Sequence, residues 1–217
     1  MTTISRRDFL KISSLTAASA GLAGCGVDQA ASTSPVELPS FSYGESNMNQ
    51  RILIAYASTF GSTAEIANDI AKTLGEHGFC VDVKPILGNP PGELDLSGYQ
   101  AVVIGSAIHF GNWLPEAVEF VKVNQYALSG LPVAIFCVYM QGMDDSARLA
   151  YMDEPRSLLE PVAEGYFTGR FDRRGAQLLM PGLLARFTPT LDLRNPKKIH
   201  AWAEDVCIAL PLPVEVS

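Results

Sequence analysis

Apolar residues recur along this chain in two alternating rhythms. Ile52-Leu53-Ile54-Ala55-Tyr56-Ala57 is an unbroken apolar run of strand length, the pattern of a parallel strand covered on both faces. After it, Ile66, Ala67, Ile70, Ala71 and Leu74 recur at helical spacing, and the stretch stops at Gly75 or Gly78. Cys80-Val81-Asp82-Val83-Lys84-Pro85 alternates apolar with polar and ends in proline, which predicts an edge strand. Ala101-Val102-Val103-Ile104 and the run from Pro132 to Val138 predict two further buried strands. Between them, Trp113 to Tyr126 reads as a helix with Leu114, Ala117, Val118 and Val121 inward. Asp144 to Ala163 reads as helical, with a break at Pro155 or Pro161. Phe167 to Phe171 alternates again and predicts the opposite edge strand, and Ile199 to Leu210 a closing helix with Ala201, Trp202, Val206 and Ala209 inward. Strands alternating with helices predict an α/β fold, a doubly wound parallel sheet with helices on both faces. Three apolar strands between two alternating ones fit the five-stranded order 2-1-3-4-5.

The front of the chain has a different character. Ser5-Arg6-Arg7-Asp8-Phe9-Leu10-Lys11 is followed by Ile12 to Gly24, a short, weakly apolar stretch rich in small residues. This pattern resembles a twin-arginine export signal, and Leu22-Ala23-Gly24-Cys25 resembles a lipoprotein box. Residues 1–24 are therefore expected to be a cleaved signal, with Cys25 carrying lipid on the extracytoplasmic face of a membrane. Residues 25–49, rich in Ser, Ala, Pro and Gly without an apolar period, read as a flexible tether. The folded domain is expected over 50–210, with a tail at 211–217.

Composition narrows the class of function. With 47% hydrophobic and 18% charged residues, the 217-residue chain is not of the disordered type. A formal net charge of -7 argues against nucleic acid as a partner. No apolar run reaches the length of a spanning helix. The four cysteines show neither C-x-x-C nor His/Cys metal spacing, so no metal site is expected. Cys80 and Cys137 read as small core residues. An exported location permits a disulfide, but the three cysteines left after Cys25 leave one over, and spacing selects no pair.

The candidate chemistry lies where strands give way to helices. Ser58-Thr59-Phe60-Gly61-Ser62-Thr63 joins the first strand to the first helix. There the unpaired backbone N–H groups and the positive helix end stabilise a phosphate. The hydroxyls of Ser58, Thr59, Ser62 and Thr63 add donors, and Gly61 permits close approach. The same residues would also make an ordinary Ser/Thr-capped turn. Without a Gly-Lys-Ser/Thr ending or a G-x-G-x-x-G, triphosphate and dinucleotide loops are disfavoured, and the uncharged loop suits one phosphomonoester. Gly105-Ser106-Ala107-Ile108-His109-Phe110-Gly111-Asn112-Trp113 follows the third strand. A loop of glycine and aromatics there could wrap a planar heterocycle, or Phe110 and Trp113 could simply pack on the next helix. Val138 to Gly142, including Tyr139, would flank the same crevice. No Ser-His-Asp, metal or paired-carboxylate constellation is present to do chemistry by itself. Gly175 to Phe187 is an apolar segment broken by Pro181-Gly182. It reads either as a lid or membrane-facing lobe for a lipid-soluble quinone, or as an insertion covering the core.

Tyr56 through Ala67 resembles the phosphate-loop signature of flavodoxin-domain proteins. Val103 through Gly111, with Asp192-Leu193-Arg194 and the closing helix, is similar to the menaquinone-dependent protoporphyrinogen dehydrogenase branch of that family. The resemblance covers nearly all of residues 50–210. It implies a flavodoxin-like fold and FMN as cofactor. Ser58, Thr59, Phe60, Gly61, Ser62 and Thr63 would surround the phosphate. Ser106, Ala107, Ile108, His109, Phe110, Gly111, Asn112 and Tyr139 would border the flavin ring. Phe60 departs from the threonine that many flavodoxins carry there, with neighbouring hydroxyls to compensate. The implied function is an FMN-dependent oxidoreductase passing electrons to a quinone. The alternatives are a single-electron carrier docking with a redox protein partner and a flavin-free binding lipoprotein.

Overall fold

A computed structural model of the chain describes residues 38–44, 50–88, 91, 94–140, 147–171 and 189–210. The expected signal, most of the tether, the apolar segment 175–187 and the tail at 211–217 lie outside the described residues. The first apolar run forms β2 (Arg51–Ala57), after a short β1 (Phe41–Tyr43). Then follow α1 (Ser62–Glu76), β3 (Cys80–Pro85), β4 (Ala101–His109) and β5 (Asn112–Trp113). Helices α2 (Pro115–Val123) and α3 (Gln125–Leu128) lead to β6 (Val133–Tyr139). The short helices α4 (Ala147–Ala150) and α5 (Asp153–Leu158) precede β7 (Ala163–Thr168), and β8 (Arg170–Phe171), β9 (Leu191–Asp192) and α6 (Pro196–Ala209) complete the described fold.

The sheet runs β1-β3-β2-β4-β6-β7, with β5 paired to β4. Its five long members are parallel, in the order 2-1-3-4-5 that the alternation predicts. The fold is an α/β sheet of flavodoxin-like topology. Apolar residues on both faces of β2 explain its central place. Ile52, Ile54 and Tyr56 enter the core beneath α1 and α6, whereas Leu53, Ala55 and Ala57 enter the one beneath α2. Gly105, inside β4, leaves room for the Phe136 ring of the neighbouring strand; a Cβ there would stand 2.0 Å from that ring.

Several elements differ from the sequence expectation. The strand expected at the sheet edge, β3, is not at the edge, because β1 pairs antiparallel with it, Phe41 opposite Val83. The sheet thus begins inside the stretch expected as a tether. The polar Asp82 faces donors rather than water. It accepts from Ser42 Oγ (2.7 Å), Arg51 Nη2 (2.6 Å) and Tyr99 OH (2.9 Å). Tyr43 OH donates to Asn68 Oδ1 (2.6 Å) and Tyr56 OH to the Pro39 carbonyl (2.7 Å), which binds the β1 segment to α1 and β2. The expected helix from Trp113 starts at Pro115 and breaks at Asn124, and Trp113 itself belongs to β5. In the stretch read as helix over 144–163, only α4 and α5 are helical among the described residues. The fifth strand begins at Ala163, before the expected Phe167. In α6, Trp202 and Val206 face the core as expected, but Ala201 and Ala209 are exposed, because the buried stripe runs through Ile199, Ala203 and Cys207 instead. Pro155 sits within the first turn of α5, where its missing N–H costs no helical bond.

Burial works to raise the Asp82 pKa, but the hydrogen bonds from Ser42, Arg51 and Tyr99 prevail and hold it below the usual carboxylate value. A depressed folded-state pKa contributes stability above the unfolded value, near 4, which is lost as pH falls through the folded one. Amide protection at Phe41–Tyr43, taken relative to the intrinsic exchange rate, should therefore fall below about pH 4, and Asp82→Asn should already show that low protection at pH 7. Protection independent of both would contradict this role for Asp82.

Candidate functional site

A cleft of about 240 Å³ opens at the carboxyl ends of the parallel strands, where ligands lie in doubly wound sheets. The turn after β2 supplies Ser58 and Phe60, and α1 supplies Ser62 and Thr63. The end of β4 supplies Ala107, Ile108 and His109, with Phe110 beyond it. Val138, Tyr139 and Met140 come from the end of β6, and Gly169 and Arg170 from the segment after β7. Residues of the first three groups meet because β2, β4 and β6 are adjacent and point the same way.

The hydroxyls of the first turn divide their work. Ser58 Oγ accepts the Gly61 N–H at 3.0 Å, which closes the turn. Gly61 is the N-cap of α1 with φ +86°, a left-handed conformation that glycine adopts without strain. Ser62 Oγ accepts the Arg170 N–H at 2.8 Å. Thr63 Oγ1 is fully buried and has no hydrogen-bond partner among the described residues. The first helical bond runs from Glu65 N–H to the Gly61 carbonyl, so Ser62, Thr63 and Ala64 N–H have no intrahelical acceptor. An orphaned hydroxyl beside three such amides, at the positive end of a 15-residue helix, is a ready site for an oxyanion. Gly169 keeps space at this point, since a Cβ there would stand 3.0 Å from both Ser62 Oγ and Val138 Cγ1. These features fit the phosphate of a mononucleotide.

The second expected loop is a hairpin. β4 continues to His109, and Ile108 and His109 pair with Trp113 and Asn112 across a two-residue turn. Both turn residues have positive φ, Phe110 at +51° and Gly111 at +86°, the type I′ geometry that matches strand twist. A bulky residue in this region is strained, and the Phe110 side chain is 98% exposed at the tip. Phe60 and His109 meet with tilted rings at 5.9 Å between centroids, and Phe110 meets His109 edge-on at 6.5 Å. Together with Ile108, Tyr139 and Met140 they make the cleft mouth apolar and aromatic, suited to a planar ring.

Of the residues expected at the site, Ser58, Phe60, Ser62, Thr63, Ala107, Ile108, His109, Phe110 and Tyr139 line the cleft. Thr59, Gly61, Ser106, Gly111 and Asn112 do not. Ser106 is fully buried; its hydroxyl donates to the Ala107 carbonyl (2.8 Å) and accepts the Leu114 N–H (2.9 Å). It fixes the start of α2. Asn112 Nδ2 donates to the Phe110 carbonyl (3.2 Å) and steadies the turn. Val138 and Met140, expected to flank the crevice, line it as well; sequence reasoning missed Gly169 and Arg170. Arg170 Nη2 is 2.7 Å from Glu65 Oε1. Arg194 Nη1 holds the other Glu65 oxygen, and its Nη2 is 2.6 Å from Asp192. That hydrogen bond with Arg194 draws the Asp192 pKa down to about 2. Cys137 and Cys207 are buried free thiols pushed up to about 12 and about 11 by desolvation, so neither is a nucleophile at neutral pH. No metal-ligating cluster is found among the described residues.

Comparison with known proteins agrees with this geometry. The family described as the flavodoxin domain matches residues 53–180, more than half of the chain. The protoporphyrinogen IX dehydrogenase [quinone] of Escherichia coli strain K12 is 33% identical over 90 residues, 41% of this chain and 48% of that protein. The protein of the same name from strain O157:H7 gives the same figures. The chain thus spans about half the length of the curated relatives it matches. Oxidised flavodoxin 1 from Bacillus cereus superposes with a TM-score of 0.51 at 16% identity, covering 75% of this chain and all of that one.

A buried hydroxyl without a partner destabilises the ligand-free fold. Thr63→Val, close to isosteric, should therefore raise the unfolding free energy of the ligand-free chain by about 1 kcal/mol. Ser58→Ala should lower it by a similar amount, because the Gly61 N–H loses its acceptor. Denaturant melts of the two variants check the contrast, and a destabilised Thr63→Val would contradict it.

Proposed function

The chain belongs to the flavodoxin-domain family, and from that premise we propose that its cleft binds FMN and that the protein is an oxidoreductase delivering electrons to a quinone. The observation that carries the reading is Thr63 Oγ1, buried and without a hydrogen-bond partner among the described residues, at the N-terminus of α1 below an aromatic cleft mouth. Ser62, Thr63 and the first-turn amides of α1 would hold the phosphate, with Ser58 and Gly61 shaping the turn. Phe60, Ile108, His109, Phe110, Tyr139 and Met140 would border the ring and exclude water from its faces. When bound, FMN supplies reversible one- and two-electron chemistry, and the protein groups orient it and tune its potential.

The quinone acceptor is supported by two features. The matched Escherichia coli protein is named as a quinone-linked dehydrogenase. Among the described residues the cleft lining contains no aspartate or glutamate, and it ends in an exposed phenylalanine and an exposed methionine. A carrier that docks with protein partners would instead be expected to ring its flavin edge with acidic residues. Whether a porphyrinogen is the donor is a separate proposal, which rests on the name of that relative. The front of the chain supports export and lipidation at Cys25, outside the described residues. Among those residues, no helix is long and apolar enough to cross a membrane.

The full chain, stripped of flavin, should bind FMN at one equivalent with quenching of flavin fluorescence. The reduced, loaded protein should be reoxidised by a soluble menaquinone analogue faster than by a one-electron protein acceptor. A folded chain that binds no FMN overturns the flavin reading, and preference for the protein acceptor overturns the quinone reading. Labelled palmitate incorporated in a bacterial host and lost in Cys25→Ala checks the anchor; incorporation unaffected by the substitution would overturn it.

A further inference from the structure

The loop that caps α1 is uncharged, yet a formal charge stands beside it. Among the described residues lining the cleft, Arg170 is the single Lys, Arg, Asp or Glu, in a chain with a formal net charge of -7. Its backbone N–H donates to Ser62 Oγ, which places its Cα within one side-chain length of the α1 first turn. Its guanidinium meets Glu65, the acid of that same turn.

Glu65 does not depend on Arg170 alone. Its second oxygen is held by Arg194, itself paired with Asp192. Arg194 and Asp192 flank the turn after β9, and the Leu193 N–H donates to the Gly169 carbonyl at 3.2 Å. If Arg170 turned toward the cleft, Glu65 would keep Arg194 as a cationic partner. A phosphomonoester carries a charge of about −1.5 to −2 at neutral pH, whereas a helix terminus is equivalent to about +0.5. Hydroxyls and amides add directed donors but no net charge. A guanidinium matches the remaining charge and the geometry of phosphate oxygens. The orphaned Thr63 hydroxyl points independently to a ligand at this end of the cleft.

We propose that Arg170 is the residue that reads the flavin phosphate, pairing with Glu65 in the ligand-free chain and with the phosphate when FMN binds, so that the cleft selects FMN over riboflavin. The proposal rests on the flavin reading above. Glu65 is then the competing anion, and the Arg194–Asp192 pair is the support that lets Arg170 change partners.

Dissociation constants for FMN and for riboflavin, measured by flavin fluorescence on the full chain and on R170Q, R170K and E65Q, test it. Loss of a charge-assisted bond predicts FMN binding about ten- to a hundred-fold weaker in R170Q, with riboflavin binding unchanged. R170K should recover part of the loss, and E65Q should bind FMN at least as tightly as the wild type. If R170Q weakens both flavins equally, or neither, while its circular dichroism is native, Arg170 only ties β8 to α1 and the proposal is overturned. If R170Q does not fold, R170K carries the test. Inorganic phosphate should then raise the Tm of the wild type more than that of R170K, and equal shifts overturn the proposal. Wild-type protein that binds neither flavin would instead refute the flavin reading, an outcome distinct from any result on the variants.

Discussion

The N-terminus of α1 is the constraint on which the rest of the site depends. A helix that starts directly beneath the end of a parallel strand must leave its first amides without intrahelical partners. Here Gly61 turns the chain in a left-handed conformation, Ser58 accepts the Gly61 amide, and the amides of residues 62–64 remain for a ligand. Around that end, the sheet order gathers everything else. β4 on one side of β2 brings the Phe110 hairpin, β6 brings Tyr139 and Met140, and the segment after β7 brings Gly169 and Arg170.

The division among the three hydroxyls gives the turn its function. Ser58 and Ser62 are tied into the protein, one to its own turn and one to the amide of Arg170. Thr63 is tied to nothing described, though no part of it reaches solvent. A fold that kept only the shape of its ancestors would gain stability by replacing such a group with an apolar one. Its presence is the sign that the ligand-free chain is an incomplete structure. The strained Phe110 turn and the exposed ring at its tip belong to the same pattern, because strain persists where a site requires it.

The five parallel strands and their order were legible in the sequence because each is marked by its own apolar pattern. β1 was not, since Phe41-Ser42-Tyr43 is too short to establish a period and lies in a Ser- and Pro-rich stretch. The edge position assigned to β3 followed from Asp82 and Pro85. The structure shows that Asp82 is polar because three donors converge on it. The phosphate turn was legible as a run of small hydroxyls, but the separate tasks of Ser58, Ser62 and Thr63 depend on tertiary partners. The β4–β5 hairpin was hidden because Phe-Gly lacks the usual Asn-Gly or Asp-Gly signal. Arg170 stands 108 residues from Ser62, beyond any local motif. A signal did exist, since Gly169-Arg170 follows the carboxyl end of the fifth strand, the side of the sheet on which ligands bind.

If the N-terminus of α1 holds a phosphate as a buried anion, phosphorus NMR of FMN bound to the full chain shows it most directly. Free FMN changes its chemical shift as its phosphate titrates with a pKa of about 6. A phosphate held by the amides of α1, Thr63 and a neighbouring cation should remain ionised, with a resonance that is shifted from free FMN and constant from about pH 5 to 8. A bound flavin whose phosphate still titrates as in free solution would contradict the account, because its phosphate would then lie in water and not at the end of α1.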